Sequence, residues 1–354
     1  MQPDLWALYG LMLKSRRFEE AVTEIWQDGL ISGEMHLGMG EEAVTAGILA
    51  QLQDGDALAL DHRGTPPLIM RGVDPVLLLK EFLGQPDGLC DGMGGHMHLF
   101  SKEHLAASSG IVGAAGPTAA GFALAGQVLR PGTVAVAFFG EGAMNQGMLM
   151  ESMNLAVAWK LPVLFACKDN QWAITTRSPE VTGGILLKRA GGFGLYTLEV
   201  DGLDVLAVWQ AAHDALERMR AGEGPAFLLA HCVHLEGHFL GDALLEITKN
   251  PVKSFPKRTW PMVTSLVQPG GAPPRVRMHA LQETLGIIRA AQIGASKRND
   301  PLARTRKVLV RENAARLRVV EEAVGQEINA VVKRAIEDIT INREGTKRNR
   351  RGGR

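Results

Sequence analysis

Two oxygen ligands suited to a hard cation stand at the ends of two successive strand-like runs in this chain. The first run, Ala135-Val-Ala-Phe-Phe139, ends in Gly140-Glu141-Gly142. The second, Val163-Leu-Phe-Ala-Cys167, ends in Lys168-Asp169-Asn170-Gln171-Trp172. Between them Gln146 to Leu161 has the length of a helix. Strand, helix and strand in that order predict a parallel unit whose strand ends open side by side. Ligands of open α/β sheets bind in the crevice outside those carboxyl ends. Glu141 and Asn170 suit Mg²⁺, and a hard cation held by few protein oxygens commonly takes phosphate as its other partner. Gly140 and Gly142 let such a ligand approach the backbone. The expected site therefore holds Mg²⁺ and a diphosphate.

Other elements must bring further groups to the same rim. Ala57-Leu-Ala-Leu60 predicts a short buried strand that delivers Asp61-His62-Arg63-Gly64. The run from Ala226 to Val233 predicts another, delivering His234 and His238. Helical spacing of apolar residues predicts helices over Asp4 to Asp28 and Gly40 to Leu52, then one opened by Pro75. Further helices are expected over Thr118 to Val128, Asp204 to Arg220, Met278 to Ile293 and Thr305 to Ile339, with Asp204 as an N-cap. The stretches Gly84 to Gly116 and Ser178 to Gly194 read as glycine-rich loops. His231 reads as core, Asp61 as a turn cap, and Lys14, Arg16 and Arg17 as a solvated face. Strand–helix alternation predicts an α/β fold: a mostly parallel sheet, helices on both faces and a helical C-terminal extension.

Composition narrows the class. The 354 residues carry 38 basic and 38 acidic side chains, a balance that gives no footing for nucleic acid or an acidic surface. Basic charge concentrates in Lys347 to Arg354, read as a disordered tail. The three cysteines have neither metal nor disulfide spacing, and Cys167 and Cys232 fall in apolar runs, which fits a reducing compartment. No run is long enough to cross a membrane, and the start has no signal or transit pattern, so a cytoplasmic location is expected.

Together these residues carry a resemblance. Gly140-Glu-Gly-Ala-Met-Asn-Gln-Gly147 followed by Asn170 is similar to the thiamine diphosphate motif. The wider pattern resembles the alpha subunit of the first component of 2-oxo acid dehydrogenase complexes, the family of pyruvate, branched-chain 2-oxo acid and acetoin dehydrogenases. It includes His36-Leu-Gly-Met-Gly-Glu-Glu-Ala43, His62-Arg-Gly64, Gly94-Gly-His-Met-His98, Gly110-Ile-Val-Gly113, Ala158-Trp-Lys-Leu-Pro162 and Gly237-His238 followed by Asp242. The resemblance implies a thiamine diphosphate-binding α/β domain over residues 1–245, a divergent connector with a helix over 246–300, a helical segment over 301–342 and a basic tail over 343–354.

The resemblance also implies roles. Glu141, Asn170 and the backbone carbonyl of Trp172 would hold Mg²⁺. His62, Arg63, Lys168 and His238 would meet the diphosphate, Gly140, Gly142 and Ala143 would lie against the cofactor, and the backbone of Gly110 and Val112 would meet its aminopyrimidine ring. His238 and His98 would position substrate or acceptor. The activity implied is oxidative decarboxylation of a 2-oxo acid, or cleavage of acetoin, with acyl transfer to a lipoyl-bearing acyltransferase. A beta subunit would supply the glutamate that activates the cofactor, in an assembly of two alpha and two beta chains. Departures bear on substrate and acceptor: His96 replaces a serine, His234 an arginine, and Phe239 a regulatory serine, so that phosphorylation switch is expected to be absent. A carboligase or acyloin-cleaving enzyme without a lipoyl partner, and a non-catalytic scaffold, are the alternatives.

Overall fold

The computed structural model describes residues 2–174, 176–241, 264, 271–294 and 296–351. Asp242 of the Gly-His motif and residues 246–263 of the expected connector lie outside the described residues.

Seven strands form the main sheet. In chain order they are β1 (Ala57–Leu60), β2 (Phe100–Ser101), β3 (Ala106–Ser108), β4 (Ala135–Gly140), β5 (Val163–Asp169), β8 (Tyr196–Asp201) and β9 (Ala226–His231), arranged β2-β3-β1-β4-β5-β9-β8. All neighbours pair parallel except β2 with β3. A separate hairpin joins β6 (Trp172–Ala173) to β7 (Thr176–Arg177). The stretch from Gly84 to Gly116, expected as loop alone, thus contributes two strands. They are two and three residues long, too short to show a period of two.

Alternation along the central strands divides the core between the two faces. Leu58, Val136, Leu164 and Leu228 fall in one apolar cluster. Ala59, Ala137, Phe165 and Phe227 fall in the other. The register aligns Ala57 with Ala135 and Val163, and Ala59 with Ala137 and Phe165. Alanines on that face admit α5 (Ala115–Leu129), which packs through Ala115, Ala119, Ala120 and Ala123. The other face is covered by α1 (Leu5–Gln27), α2 (Glu42–Leu49), α3 (Thr65–Arg71), α4 (Pro75–Phe82) and α9 (Val205–Arg220). With both faces covered, strands β4, β5 and β9 read as nearly unbroken apolar runs. The Asp4 and Asp204 side chains cap α1 and α9.

Helix α6 (Gly147–Ala158) packs beside α5, α7 (Ser178–Val181) against β7, and α8 (Leu186–Gly192) against β8 and β9. The last two replace the loop expected over Ser178 to Gly194. Pro274–Gly294 is helical, and a long terminal helix spans Pro301–Arg351 with a break at Asn313, whose Oδ1 caps the following turn by accepting from Arg316 N at 2.9 Å. That helix continues through the basic stretch assigned from composition to a tail, and no proline interrupts its backbone ladder. Trp6, Tyr9 and Leu13 of α1 pack against its Leu309 and Leu317. Arg16 is not on a solvated face: it is buried, with Nε 2.5 Å from Glu42 and two further bonds of 3.1 Å to Asp300. Its partners lie in α2 and before the terminal helix, beyond the reach of local periodicity. His231 is half-exposed instead of core, held between Glu199 at 2.8 Å and Asp169 at 3.3 Å.

Asp56 secures the far end of the sheet. Its buried carboxylate accepts from Val134 N (2.9 Å), Gln53 N (2.7 Å) and both terminal nitrogens of Arg220 (2.5 and 3.2 Å). Replacing Asp56 by alanine takes the carboxylate from a partly buried guanidinium and leaves two amides without their acceptor. Urea unfolding of Asp56→Ala is therefore expected to show a loss of about 3–5 kcal/mol, and a loss below about 1 kcal/mol would refute the clamp.

Candidate active site

A cavity of about 420 Å³ opens at the carboxyl rim of β1, β4 and β5, beside the segment that follows β9. It is lined by residues from every strand end singled out in the sequence, including His62, Arg63, Gly140, Gly142, Ala143, Asn170, Trp172 and His238. Gly110 and Val112 also line it, from the segment between β3 and α5. Local geometry explains two of the glycines. A methyl at Gly64 would fall 2.7 Å from Cβ of Ser108, and one at Gly142 would fall 3.0 Å from Cβ of Ala173.

Arg63 is the cation of the cavity. It is 2% exposed, and no carboxylate touches its guanidinium among the described residues. The guanidinium donates to the carbonyls of Leu37 and His238, the latter at 2.8 Å, and lies 3.3 Å from Nδ1 of both His234 and His238. A buried guanidinium satisfied only by neutral acceptors keeps its full charge for an anion. Burial, together with the Arg63 charge, holds the surrounding imidazoles neutral: His36 and His238 are lowered to about 3 and His96 to about 4. His62 is lowered by the same two causes, and its Nε2 is buried without a hydrogen-bond partner. Ring nitrogens of His36, His62 and His238 come within 4.8 Å of one another. The adjacent guanidinium disfavours a metal ion there and favours polar groups of an anionic ligand.

Lys168, expected at the phosphate, lies elsewhere. Its ammonium is 3% exposed and is bound by Glu41 Oε2 at 2.7 Å and by Asp61 Oδ2 at 3.0 Å. It does not line the cavity. Two carboxylates answer its charge, so its structural part is to hold them. Asp61 also accepts from Arg63 N at 3.0 Å, so the residue read as a turn cap joins strand end to ion cluster. Glu41 Oε1 accepts from His234 Nε2 at 2.5 Å. That contact leaves His234 Nδ1 to accept from Asn170 Nδ2 at 3.1 Å. Despite burial, the Lys168 and His234 contacts hold the Glu41 carboxyl far below the usual range.

Glu141 lies behind the cavity wall. It is 1% exposed, accepting from Ser178 Oγ and, at 3.4 Å, from Asn170 N. No cationic group pairs with it among the described residues. Burial pushes its carboxyl up to about 7. A buried carboxylate without a counter-charge, beside the amide of Asn170, is a donor set that fits a hard cation. Asn170 Oδ1 accepts from Trp172 N at 2.8 Å, and Gln171 between them adopts φ 66°, which folds the chain back at the rim. His98 is exposed and does not line the cavity. Its Nε2 would lie 3.4 Å from a methyl placed on Gly110, which puts it beside the mouth.

Several functional neighbours escaped the reading by residue type. Glu41, His36 and Ser178 sit 20 or more residues from the groups they hold, and no short spacing signals such pairs. His36 and Glu41 did fall inside the quoted Gly-Met-Gly-Glu motif, which was the available sign. His234, expected at the rim and noted as a replacement for arginine but given no role, bridges Arg63, Asn170 and Glu41.

The chain is similar to known proteins over most of its length. The family described as "Dehydrogenase E1 component" matches residues 10–260. The alpha subunit of acetoin:2,6-dichlorophenolindophenol oxidoreductase from Cupriavidus necator is 42% identical over 241 residues, covering 68% of this chain and 72% of that protein. The Bacillus subtilis protein of the same name is 39% identical over 248 residues, 70% of this chain and 74% of that one. The alpha subunit of the pyruvate dehydrogenase E1 component from Zymomonas mobilis is 39% identical over 242 residues, 68% of each chain. Among solved structures, a transketolase mutant from Pichia stipitis is similar in fold, with a TM-score of 0.50 and 14% identity over 92% of this chain and 48% of that one.

Two substitutions separate structure from ligand binding. Lys168→Met strands Glu41 and Asp61 and is expected to cost about 3–5 kcal/mol in urea unfolding. Glu141→Gln removes an uncompensated buried charge and is expected to stabilise the ligand-free chain in EDTA at pH 7 by about 1–2 kcal/mol. A destabilised Glu141→Gln chain would mean that the carboxylate serves the fold.

Proposed function

This chain belongs to the dehydrogenase E1 component family, and from that premise we propose that it is the alpha subunit of a thiamine diphosphate-dependent 2-oxo acid or acetoin dehydrogenase. The observation that carries this is the pairing of opposite, unanswered charges at one strand rim. Arg63 offers a buried cation to a diphosphate, and Glu141 offers a buried anion to Mg²⁺. Glu141, Asn170 and the Trp172 carbonyl hold the metal. Arg63 and His238 meet the diphosphate, with His62 beside them. The backbone of Gly110 and Val112 faces the aminopyrimidine ring.

Thiamine diphosphate, once bound, supplies the electron sink that cleavage beside a carbonyl requires. The chain contributes placement and charge. Arg63 fixes the anionic end through charge-assisted bonds. The neutral imidazoles of His62 and His238 present hydrogen-bonding nitrogens without adding charge. Lys168 holds Glu41 and Asp61, and Glu41 in turn holds His234 against Asn170.

The site calls for a second subunit. Cofactor activation needs a carboxyl group. The two carboxylates that line the cavity, Glu41 and Asp61, are already bound by Lys168. A beta subunit supplies the missing glutamate, in an assembly of two alpha and two beta chains. Apolar side chains at the mouth, Ile111 at 62% and Ile174 at 56% exposure, suit such a contact. The acyl unit passes to a lipoyl-bearing acyltransferase.

The test is turnover by this chain co-purified with the beta-type protein encoded beside it. With thiamine diphosphate and Mg²⁺, reduction of an artificial electron acceptor is followed across pyruvate, branched-chain 2-oxo acids and acetoin. Turnover by the pair and none by this chain alone is expected. Bound cofactor with no turnover of any of them would overturn the dehydrogenase reading in favour of a carboligase. Arg63→Met is expected to weaken thiamine diphosphate binding by about 10- to 100-fold in titration calorimetry, the loss of hydrogen bonds to a charged group. An unchanged affinity would show that the diphosphate lies elsewhere.

A further inference from the structure

His36 packs against two other imidazoles of the cavity, His62 and His238. Its ring meets His62 edge-to-face at 4.8 Å and His238 edge-to-face at 5.0 Å between centroids. Both contacts fix where those rings lie, so the plane of His36 sets theirs. Among the described residues the His36 ring has one hydrogen-bond partner. Its Nδ1 lies 2.9 Å from Nε2 of His96, with the two rings within 18° of parallel. His36 and His96 are each 8% exposed, so water competes little for that bond.

The chemistry of the bond is restrictive. Both rings are held neutral by burial and by the Arg63 charge. Each neutral imidazole carries one proton, and one of the two facing nitrogens must donate it. If His36 Nδ1 donates, His36 Nε2 is an acceptor. If His96 donates, His36 Nε2 carries a proton and is a donor. The bond therefore ties the tautomer that His36 presents to its surroundings to the tautomer of His96. Next to it, His62 Nε2 is buried and unsatisfied, a polar atom that awaits a partner from a ligand.

We propose that His96 is a positioning residue for the reaction: its bond to Nδ1 of His36 ties the tautomer of that ring to its own and holds the plane of the ring that braces His62 and His238, and so aims the unsatisfied His62 nitrogen at the substrate. This deepens the proposed function and rests on it, because the reaction is what the aim serves. His96 itself touches neither substrate nor cofactor in this account; it does not line the cavity.

Two variants separate the hydrogen bond from the ring. His96→Phe keeps a flat ring against His36 and removes the bond. His96→Gln keeps a hydrogen-bonding group and removes the ring. The full chain is labelled with ¹⁵N-histidine, and kinetics are measured on the assembly with its beta subunit. His96→Phe is expected to lower kcat by about tenfold or more while KM and thiamine diphosphate affinity stay within about threefold, a loss of aim and not of binding. The ¹⁵N shifts of His36 should move toward a different tautomer mixture, with the melting temperature unchanged. His96→Gln should restore kcat to within about threefold of wild type. Wild-type kcat in His96→Phe, or unmoved His36 shifts, would overturn the inference. Equal loss of kcat and melting temperature in both variants would overturn it too, as a packing role. If the wild-type pair turned over no substrate, the proposed function would fall, while the His36 shifts would still report whether His96 sets the tautomer.

Discussion

A buried ammonium, Lys168 Nζ, ties together the loops on which the site depends. It emerges from β5 and binds Glu41, which precedes α2, and Asp61, which follows β1. Glu41 extends the cluster to His234 beyond β9. Elements separated by more than a hundred residues are thereby fixed at one point beneath the cavity. Ion pairs of this kind are weak contributors to net stability, because desolvating the charges offsets most of their attraction. The value of this one lies in placement. It sets Asp61, which receives the Arg63 amide, and His234, which receives the Asn170 amide, so both sides of the cavity are referred to one cation.

Around that point the charges of the cavity remain unanswered. Among the described residues, Arg63 is buried without a carboxylate and Glu141 without a cation. Each is costly in the ligand-free chain, and each becomes favourable when a group of opposite sign arrives. The imidazoles beside Arg63 stay neutral, so they add hydrogen-bonding capacity without adding charge. Among the described residues, the carboxylates that line the cavity, Glu41 and Asp61, are both bound by Lys168.

Much of this was legible in the sequence where local pattern and function coincide. The runs before Glu141 and Asn170 read as strands because both faces of the sheet are covered, and polar residues at their ends mark the rim. Asp4 and Asp204 read as caps because capping is local. The family resemblance set Lys168 at the phosphate, whereas the carboxylates that bind it, Glu41 and Asp61, lie 127 and 107 residues away. Arg16 and His231 were misread for the same reason: their carboxylate partners come from other elements. The strands β2 and β3 are too short to carry a period. The histidine cluster required the fold, since His36, His62, His96 and His238 arrive from four separate segments.

The most direct test of the central claim is calorimetric titration of thiamine diphosphate into this chain assembled with its beta subunit, with and without Mg²⁺. Opposite charges held ready for a metal–diphosphate pair predict saturable binding in Mg²⁺ that disappears in EDTA. Binding of equal strength in EDTA, or none in Mg²⁺, would contradict the account.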